Sequence, residues 1–298
     1  MHLEEPMNDN VFWRRRVVVM KLVRYMSFKW GIEAVKSGLF KLLRPLGAND
    51  PYEMMGACTG KLRPEVKADM LDDMKYAWVK AGLPMSGKVA NYPISEVIAR
   101  VENNHYFFQM MLMSREVQQE ANAMLCFVDA DQIDAVTDQL MWGHYTKGGT
   151  GIRIWFESER FPDELPPLFK VKYLAKRPCI DLGTLNAYND MNVWGRFLFD
   201  ILITKSNAWA YEHEYRMMIP PMSAGSFVVN KDDLEFVRIG PECISRIDLG
   251  PMGVQEDSGS IIEELKSNPA TAHIDFRLAT FKSEEYAYDY IRFEDFPK

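Results

Sequence analysis

Hydrophobic residues recur along this chain with two different spacings, which together predict a mixture of strands and helices. Apolar and β-branched residues crowd 17–25 (VVVMKLVRY), and every second residue is apolar in 151–157 (GIRIWFE), so both segments are predicted strands. In 65–82 the apolar residues recur at three and four positions, which is typical of a helix. These patterns predict an α+β fold.

The order of the patterns predicts one domain that covers residues 1–298. It opens with a strand and a helix that Ser27 caps and Gly38 ends, followed by a short strand and a turn at 47–53. A helical insertion is expected at about 64–124, and residues 1–16 form an N-terminal extension. Later strands are predicted at 123–130, 151–157, 168–175, 234–240, 272–279 and 287–293, and helices at 184–205 and 259–267.

Composition favours an ordinary globular protein of the cytoplasm. Hydrophobic residues make up 47% of the chain and charged residues 26%. The four cysteines are isolated from one another, which argues against a disulfide framework or a structural zinc site. No apolar run approaches the roughly 20 residues that a membrane-spanning helix needs, and the N-terminus lacks the order of a signal peptide.

Charge is distributed unevenly behind the net value of −7. The segment 14–44 contains nine Lys or Arg residues and one acid, Glu33. Such a segment is a candidate to meet phosphate, a dinucleotide or nucleic acid, and a solvated basic face explains it equally well. If nucleic acid is a partner, we expect it to contact Arg14, Arg15, Arg16 and Lys21.

Three clusters remain as candidates for chemistry, because the chain contains no Walker loop, GxGxxG, HExxH or GxSxG motif. They are 22–27 (LVRYMS), 141–151 (MWGHYTKGGTG) and 205–216 (KSNAWAYEHEYR). In the second cluster, polar-tipped aromatic residues precede a glycine turn. They either lock a core or form a pocket wall, with the turn bringing the backbone close to a ligand.

Two carboxylates stand out in the third cluster. In an extended chain Glu212 and Glu214 point to one face, and Arg216 lies on that same face. Two like charges in proximity raise each other's pKa or require a cationic neighbour. The cluster is therefore either a catalytic pair or a buried ion pair packed among aromatic rings.

These clusters resemble motifs of the bacterial domain-of-unknown-function family 2971. That family shows an opening strand such as LYKYRS, then FNDPFE, then LMWSHYADNHKGVCLGFD and KS..W.YE.EWR. The counterparts here are LVRYMS, GANDPYE, LMWGHYTKGGTGIRIWFE and KSNAWAYEHEYR. The resemblance runs from about Met20 to the end of the chain and implies a shared fold.

The opening strand, helix and late Glu-x-Glu are also similar to ADP-ribosyltransferase-type domains, although the aromatic-Ser-Thr-Ser strand of those domains is absent. This second resemblance implies an ADP-ribosyltransferase-like mixed sheet, with NAD as cofactor and Glu214 as the catalytic residue ahead of Glu212. It implies contacts to NAD from a first-strand group and a central group of residues: Arg24, Tyr25, Ser27, Trp142, His144 and Tyr145.

Cleavage of the bond between nicotinamide and ribose suits such a set, because a carboxylate stabilises the cationic sugar and an aromatic ring receives the planar leaving group. The expected function is transfer of ADP-ribose to a protein or nucleic-acid acceptor, or hydrolysis of NAD, in phage defence or as a toxin. Two alternatives stay open. One is a non-catalytic nucleic-acid or protein interaction module of a defence system, and the other is a nuclease with Glu212, Glu214 and Asp50 as metal ligands.

Overall fold

The computed structural model of the chain describes residues 19–61, 63–66, 68–69, 88–89, 92–93, 123–184, 191–219, 227–231, 234–252 and 258–295. Arg14, Arg15, Arg16, the predicted N-terminal extension and most of the predicted helical insertion lie outside these residues. The described residues form two compact units. Unit one comprises those up to Leu43, from Met124 to Lys170 and from Ala210 onward, and unit two comprises the rest. The predictions of a single domain and of a helical insertion stay predictions.

Strands and helices alternate irregularly along the described chain, which confirms an α+β protein. In chain order they are β1 (Lys21–Met26), α1 (Phe28–Ser37), β2 (Leu39–Lys41), β3 (Ala57–Thr59), β4 (Lys88–Val89), β5 (Tyr92–Pro93), β6 (Ala123–Asp129), α2 (Ala135–Tyr145), β7 (Ile152–Glu157), β8 (Leu168–Lys170), β9 (Lys172–Leu174), β10 (Cys179–Asp181), α3 (Met191–Leu202), β11 (Thr204–Ser206), β12 (Glu214–Ile219), β13 (Val228–Lys231), β14 (Leu234–Arg238), β15 (Ile244–Leu249), α4 (Ser258–Ser267), β16 (Asp275–Phe281) and β17 (Tyr288–Arg292).

Unit one is built around a mixed sheet of eight described strands in the order β17-β16-β15-β7-β1-β6-β12-β8. β1 pairs antiparallel with β7 along its whole length, from Lys21 opposite Glu157 to Met26 opposite Ile152. On its other side β1 pairs with β6 through Leu22 and Val23. Beyond Val23, the described ladder between these two central strands stops.

Helix α1 covers one face of this sheet. Its buried residues are Gly31, Ile32, Ala34 and Val35. Gly38 ends the helix at φ +68°, a left-handed conformation that glycine adopts without strain, and its N–H donates to the Ala34 carbonyl at 2.8 Å. The predicted helix and its glycine end are thus confirmed. Ser27 occupies the N-cap position, but its side chain makes no capping hydrogen bond.

A buried cation organises the opposite face, where α2 packs. The Arg153 side chain donates from Nε to Asp248 at 2.8 Å and from Nη1 to Asp138 at 2.8 Å. Its guanidinium lies 4.2 Å from the ring centroid of Tyr290 and 5.0 Å from that of Trp155. Burial alone lowers the pKa of Arg153, yet the two carboxylates and neighbouring tyrosines raise it well above its usual value. Arg153 therefore stays charged inside the core.

Two predicted site residues belong to this network. The Tyr25 hydroxyl donates to Asp138 at 2.7 Å, and the Trp142 indole donates to the Tyr290 hydroxyl at 3.0 Å. The two rings meet edge to face, with centroids 5.2 Å apart. Trp142 is completely buried. Its interpretation as a core residue, which the sequence left open, is the one that this packing favours.

A smaller sheet in unit one joins β13, β14 and β2 in that order. β14 pairs antiparallel with β2, which places Phe236 opposite Lys41. The chain after β2 then meets the start of β6, because Leu43 and Met124 exchange backbone hydrogen bonds of 2.8 and 2.9 Å. The first residues of β6 thus pair with the β2 segment and not with β1.

Unit two contains short strands and α3. β10 pairs parallel with β3, and β11 pairs parallel with β9. The predicted turn at 47–53 is confirmed over 51–54, and the Asp50 carboxylate accepts from the Tyr52 N–H at 2.8 Å. The single strand predicted at 168–175 is divided at Val171 into β8 and β9, which pair with β12 and β11 respectively.

Replacing Trp142 with alanine should lower the free energy of unfolding by about 3–5 kcal/mol, as for other large buried aromatic residues. Trp30→Ala is the matched control, since the Trp30 side chain is 55% exposed. Its loss should cost within about 0.5 kcal/mol. Urea unfolding followed by circular dichroism measures both, and equal losses would contradict the assignment of Trp142 to the core.

Candidate functional site

The pairing of β1 with β6 stops after Val23, which leaves an opening between the two strands, and Arg24 lies at this opening. Arg24 follows the last paired residue of β1, and its Nη1 donates to the Cys126 carbonyl at 2.6 Å. This bond occupies an acceptor that a neighbouring strand would otherwise use. The Arg24 Nε is buried and has no hydrogen-bond partner among the described residues. A buried N–H in this condition is well placed to meet an acceptor on a ligand.

The register of the sheet places Arg24 on the face that α1 covers. Arg24 lies opposite Ile154, whereas Tyr25 lies opposite Arg153. Because successive side chains point to opposite faces of a strand, Arg24 faces α1 and Tyr25 faces α2. Arg24 therefore lies on the α1 face at the centre of the sheet, next to the opening.

The two carboxylates of the third cluster are buried, but they are not part of one extended segment. Glu212 ends the 3₁₀ helix Asn207–Glu212, and β12 begins at Glu214. His213 between them has φ +43°. This left-handed residue turns the chain out of the helix and into the strand. The alternation that we expected for Glu212 to Tyr215 is therefore interrupted at His213.

Glu214 forms a fork-to-fork ion pair with Arg216. Nε and Nη2 of Arg216 donate to the two carboxylate oxygens at 2.9 and 3.2 Å. Both residues are buried. The cationic neighbour expected from the sequence is thus present, and this geometry is what a buried ion pair requires.

Tyr145, the last residue of α2, connects that helix with the Glu212 carboxylate. Its hydroxyl donates to Glu212. Burial raises the pKa of Tyr145, and the charges of Glu212 and Glu214 raise it further, so Tyr145 stays protonated. The preceding residue, His144, is exposed, and its ring stacks on Tyr211 with centroids 6.2 Å apart.

Glu212 and Glu214 together form the carboxylate cluster. Arg24 interacts electrostatically with Glu214 of this cluster. Burial lowers the pKa of Arg24, and Cys126, Glu214 and Tyr145 act in the opposite direction. Burial likewise raises the pKa of the Cys126 thiol, and the charge of Glu214 adds to that effect. Arg24 on the first strand thus interacts electrostatically with Tyr145 at the end of α2 and with Glu214 at the start of β12. Their convergence on a single cleft stays a prediction.

A cleft of about 430 Å³ adjoins Arg24 on the α1 face. Its described lining comes from the end of β1, one side of α1, the β2 segment and the β13–β14 hairpin. The lining includes three of the predicted site residues, Arg24, Tyr25 and Ser27, and also Trp30, Lys41 and Lys231, which sequence reasoning missed. Trp142, His144, Tyr145, Glu212 and Glu214 are not part of that lining.

The glycine turn of the second cluster approaches a strand. A Cβ at Gly151 would lie 2.1 Å from the Met26 carbonyl oxygen. Glycine is thus required here because the chain packs directly against the end of β1. The close approach that we had expected toward a ligand is made to the protein backbone.

Comparisons with known proteins give one match. Residues 141–217 match the family model described as "Protein of unknown function (DUF2971)". The resemblance to that family is confirmed over this segment. The DUF2971-like segment covers less than half of the chain and includes Tyr145, Glu212 and Glu214. No curated protein and no solved structure matched the chain.

The described residues contain neither a metal-binding cluster nor a membrane-spanning helix. Within the described ranges, no three His, Cys, Asp or Glu side chains are grouped so that they could hold a metal ion. None of the described helices is long and apolar enough to cross a bilayer.

Removing Arg216, the cation of the fork-to-fork pair, should destabilise the folded protein. Arg216→Leu leaves Glu214 buried without its main counter-charge, so we expect a loss of about 3–5 kcal/mol of unfolding free energy. Arg238→Leu, at an exposed position of β14, should change it by less than about 0.5 kcal/mol.

The double replacement of Glu214 and Arg216 by leucine should recover much of the loss, since it removes both charges of the pair together. Chemical unfolding of the three variants measures these values. Equal stability of Arg216→Leu and the parent protein would show that the pair contributes nothing.

Proposed function

We propose that the cleft binds NAD and that the protein breaks the bond between nicotinamide and ribose. ADP-ribose then passes to a protein or nucleic-acid acceptor, or to water. One observation carries this proposal: Arg24, whose buried Nε–H has no partner among the described residues, lines the cleft and also interacts electrostatically with Glu214 and Tyr145.

The end of the cleft beside Arg24 and Ser27, here called the inner end, suits a pyrophosphate. Arg24 offers its unpaired Nε–H, and Ser27, the N-cap residue of α1, lines the same cleft. A helix N-terminus presents unpaired N–H groups and a partial positive charge to an anion. The Ser27 hydroxyl is free of a capping bond and is available as a further donor.

The carboxylates suit the reacting end. As the glycosidic bond breaks, its electron pair leaves with nicotinamide and the sugar becomes cationic. Arg216 donates to both oxygens of the Glu214 carboxylate, and in this proposal the oriented carboxylate stabilises the cationic sugar through a ribose hydroxyl. Glu212 accepts a hydrogen bond from the Tyr145 hydroxyl, and in this proposal it takes the proton of the incoming acceptor or water.

The same arrangement supports an ADP-ribosyltransferase-like core for unit one. Arg24 lies on the first strand of the sheet, and Glu212 and Glu214 enter it late in the chain, in the order that such domains show. The roles proposed for Trp142 and His144 differ from the expected direct contacts with NAD. Trp142 supports the Tyr25 ring from the core, and His144 forms an exposed stack with Tyr211 beside Tyr145.

A second candidate function is a non-catalytic module of a phage-defence system or toxin. The observation that favours it is the complete bidentate pairing of Glu214 with Arg216, since an ion pair of this kind also serves structure alone. In this account the cleft binds a nucleotide without cleaving it. Nucleic acid would then contact exposed Lys21, together with Arg14, Arg15 and Arg16.

Nicotinamide release by Glu214→Gln separates the two functions. We expect the rate per folded molecule to fall about 10²-fold or more, because the substitution removes the charge that stabilises the cationic sugar. Asp275→Asn is the control, since it also neutralises a carboxylate paired with an arginine and lies outside the cleft lining. That variant should keep its rate per folded molecule.

The folded fraction of each variant comes from its unfolding curve, and released nicotinamide is measured by chromatography. Two results would contradict catalysis by Glu214. One is a parent protein that releases no nicotinamide from NAD, and the other is a Glu214→Gln variant whose rate falls only as far as its folded fraction.

A further inference from the structure

The outer cleft, between α1 and the β13–β14 hairpin, has one wall made by a single stripe of α1. Trp30, Glu33, Ala34 and Ser37 line the cleft, at the spacing of residues that share one side of a helix. The Trp30 side chain is 55% exposed although it belongs to a cleft. A large ring in this setting offers a flat surface to a planar ligand group.

The facing wall carries cations among apolar side chains. Lys41 on β2 lies opposite Phe236 on β14, and Lys231 ends β13. Both lysines line the cleft and are exposed, and neither forms an ion pair with a described residue. By contrast, Lys36 on α1 is outside the cleft lining and pairs with Glu264 at 2.6 Å.

The charges of the cleft favour an anion of small size. Its described lining contains three cations, Arg24, Lys41 and Lys231, and one acid, Glu33. A volume of about 430 Å³ falls within the range of small-molecule sites. A planar surface beside several cations matches a nucleotide, in which a flat base is joined to phosphates.

We infer that the outer cleft is a nucleotide subsite, in which Trp30 stacks on the base and Lys41 and Lys231 hold the phosphates of a nucleoside diphosphate. This inference rests on the proposed function, because it assigns the adenosine diphosphate half of NAD to this end of the cleft. In this arrangement the two lysines and Arg24 share the single pyrophosphate of NAD, and the reacting end is left to the carboxylates.

Titration calorimetry with ADP, adenosine and inorganic pyrophosphate tests the subsite in the full-length protein. ADP should bind with one-to-one stoichiometry. The double variant Lys41→Gln, Lys231→Gln should weaken ADP at least about tenfold and leave adenosine unchanged, with binding that is less sensitive to salt than in the parent. Trp30→Ala should weaken ADP and adenosine at least about fivefold and leave pyrophosphate unchanged.

Lys36→Gln is the control for loss of one positive charge from α1, and it should bind ADP like the parent. The subsite is overturned if ADP does not bind, or if the lysine pair and Trp30 variants bind ADP as tightly as Lys36→Gln does. Failure of the proposed function looks different: ADP binds as described, but the parent releases no nicotinamide from NAD. Conversely, nicotinamide release that ADP does not inhibit would remove the subsite and leave the activity in place.

Discussion

The candidate site depends on one interruption in a hydrogen-bonded sheet. β1 is paired along its full length with β7, but with β6 through Leu22 and Val23. At the next residue, Arg24 supplies a side-chain donor to the Cys126 carbonyl. The interruption therefore leaves that carbonyl satisfied, and a guanidinium stands where a strand ladder would otherwise close the sheet. The cleft lies beside this guanidinium, and the carboxylate cluster interacts with it electrostatically.

The opposite face of β1 is held rigidly. Tyr25 is joined to Asp138 and Arg153, and Arg153 is joined in turn to Asp248 on β15. The buried Arg153 side chain contacts two carboxylates and lies 4.2 Å from the centroid of the Tyr290 ring. These contacts hold β1 in one orientation about its own axis. Because side chains alternate along β1, fixing Tyr25 on one face also fixes Arg24 toward the other. A network that takes no direct part in the proposed chemistry thus positions the residue on which binding depends.

Periodicity was sufficient to predict α1, β1, β6 and β7, and the DUF2971-like segment was recognisable from its motifs. Arg24 could be singled out because an arginine on an apolar strand needs a partner or a ligand. Other features had no local signal. The 3₁₀ helix that ends at Glu212 and the left-handed backbone of His213 produce no hydrophobic periodicity in the sequence. Arg153 occupies an ordinary position in an alternating strand. Trp30, Lys41 and Lys231 come together because α1, β2 and a distant hairpin pack around one space, which spacing along the chain does not reveal.

Binding and chemistry are assigned here to adjacent parts of unit one, with Arg24 common to both. The most direct measurement is the affinity for NAD of the parent protein and of Arg24→Gln, determined by calorimetry, with circular dichroism to show that both are folded. Arg24→Lys, which keeps the charge but loses the Nε–H, completes the set. The account predicts that the parent binds NAD at one site, that Arg24→Gln weakens binding at least about tenfold, and that Arg24→Lys falls between them. Equal affinities for the parent and a folded Arg24→Gln protein, or no binding by the parent, would contradict it.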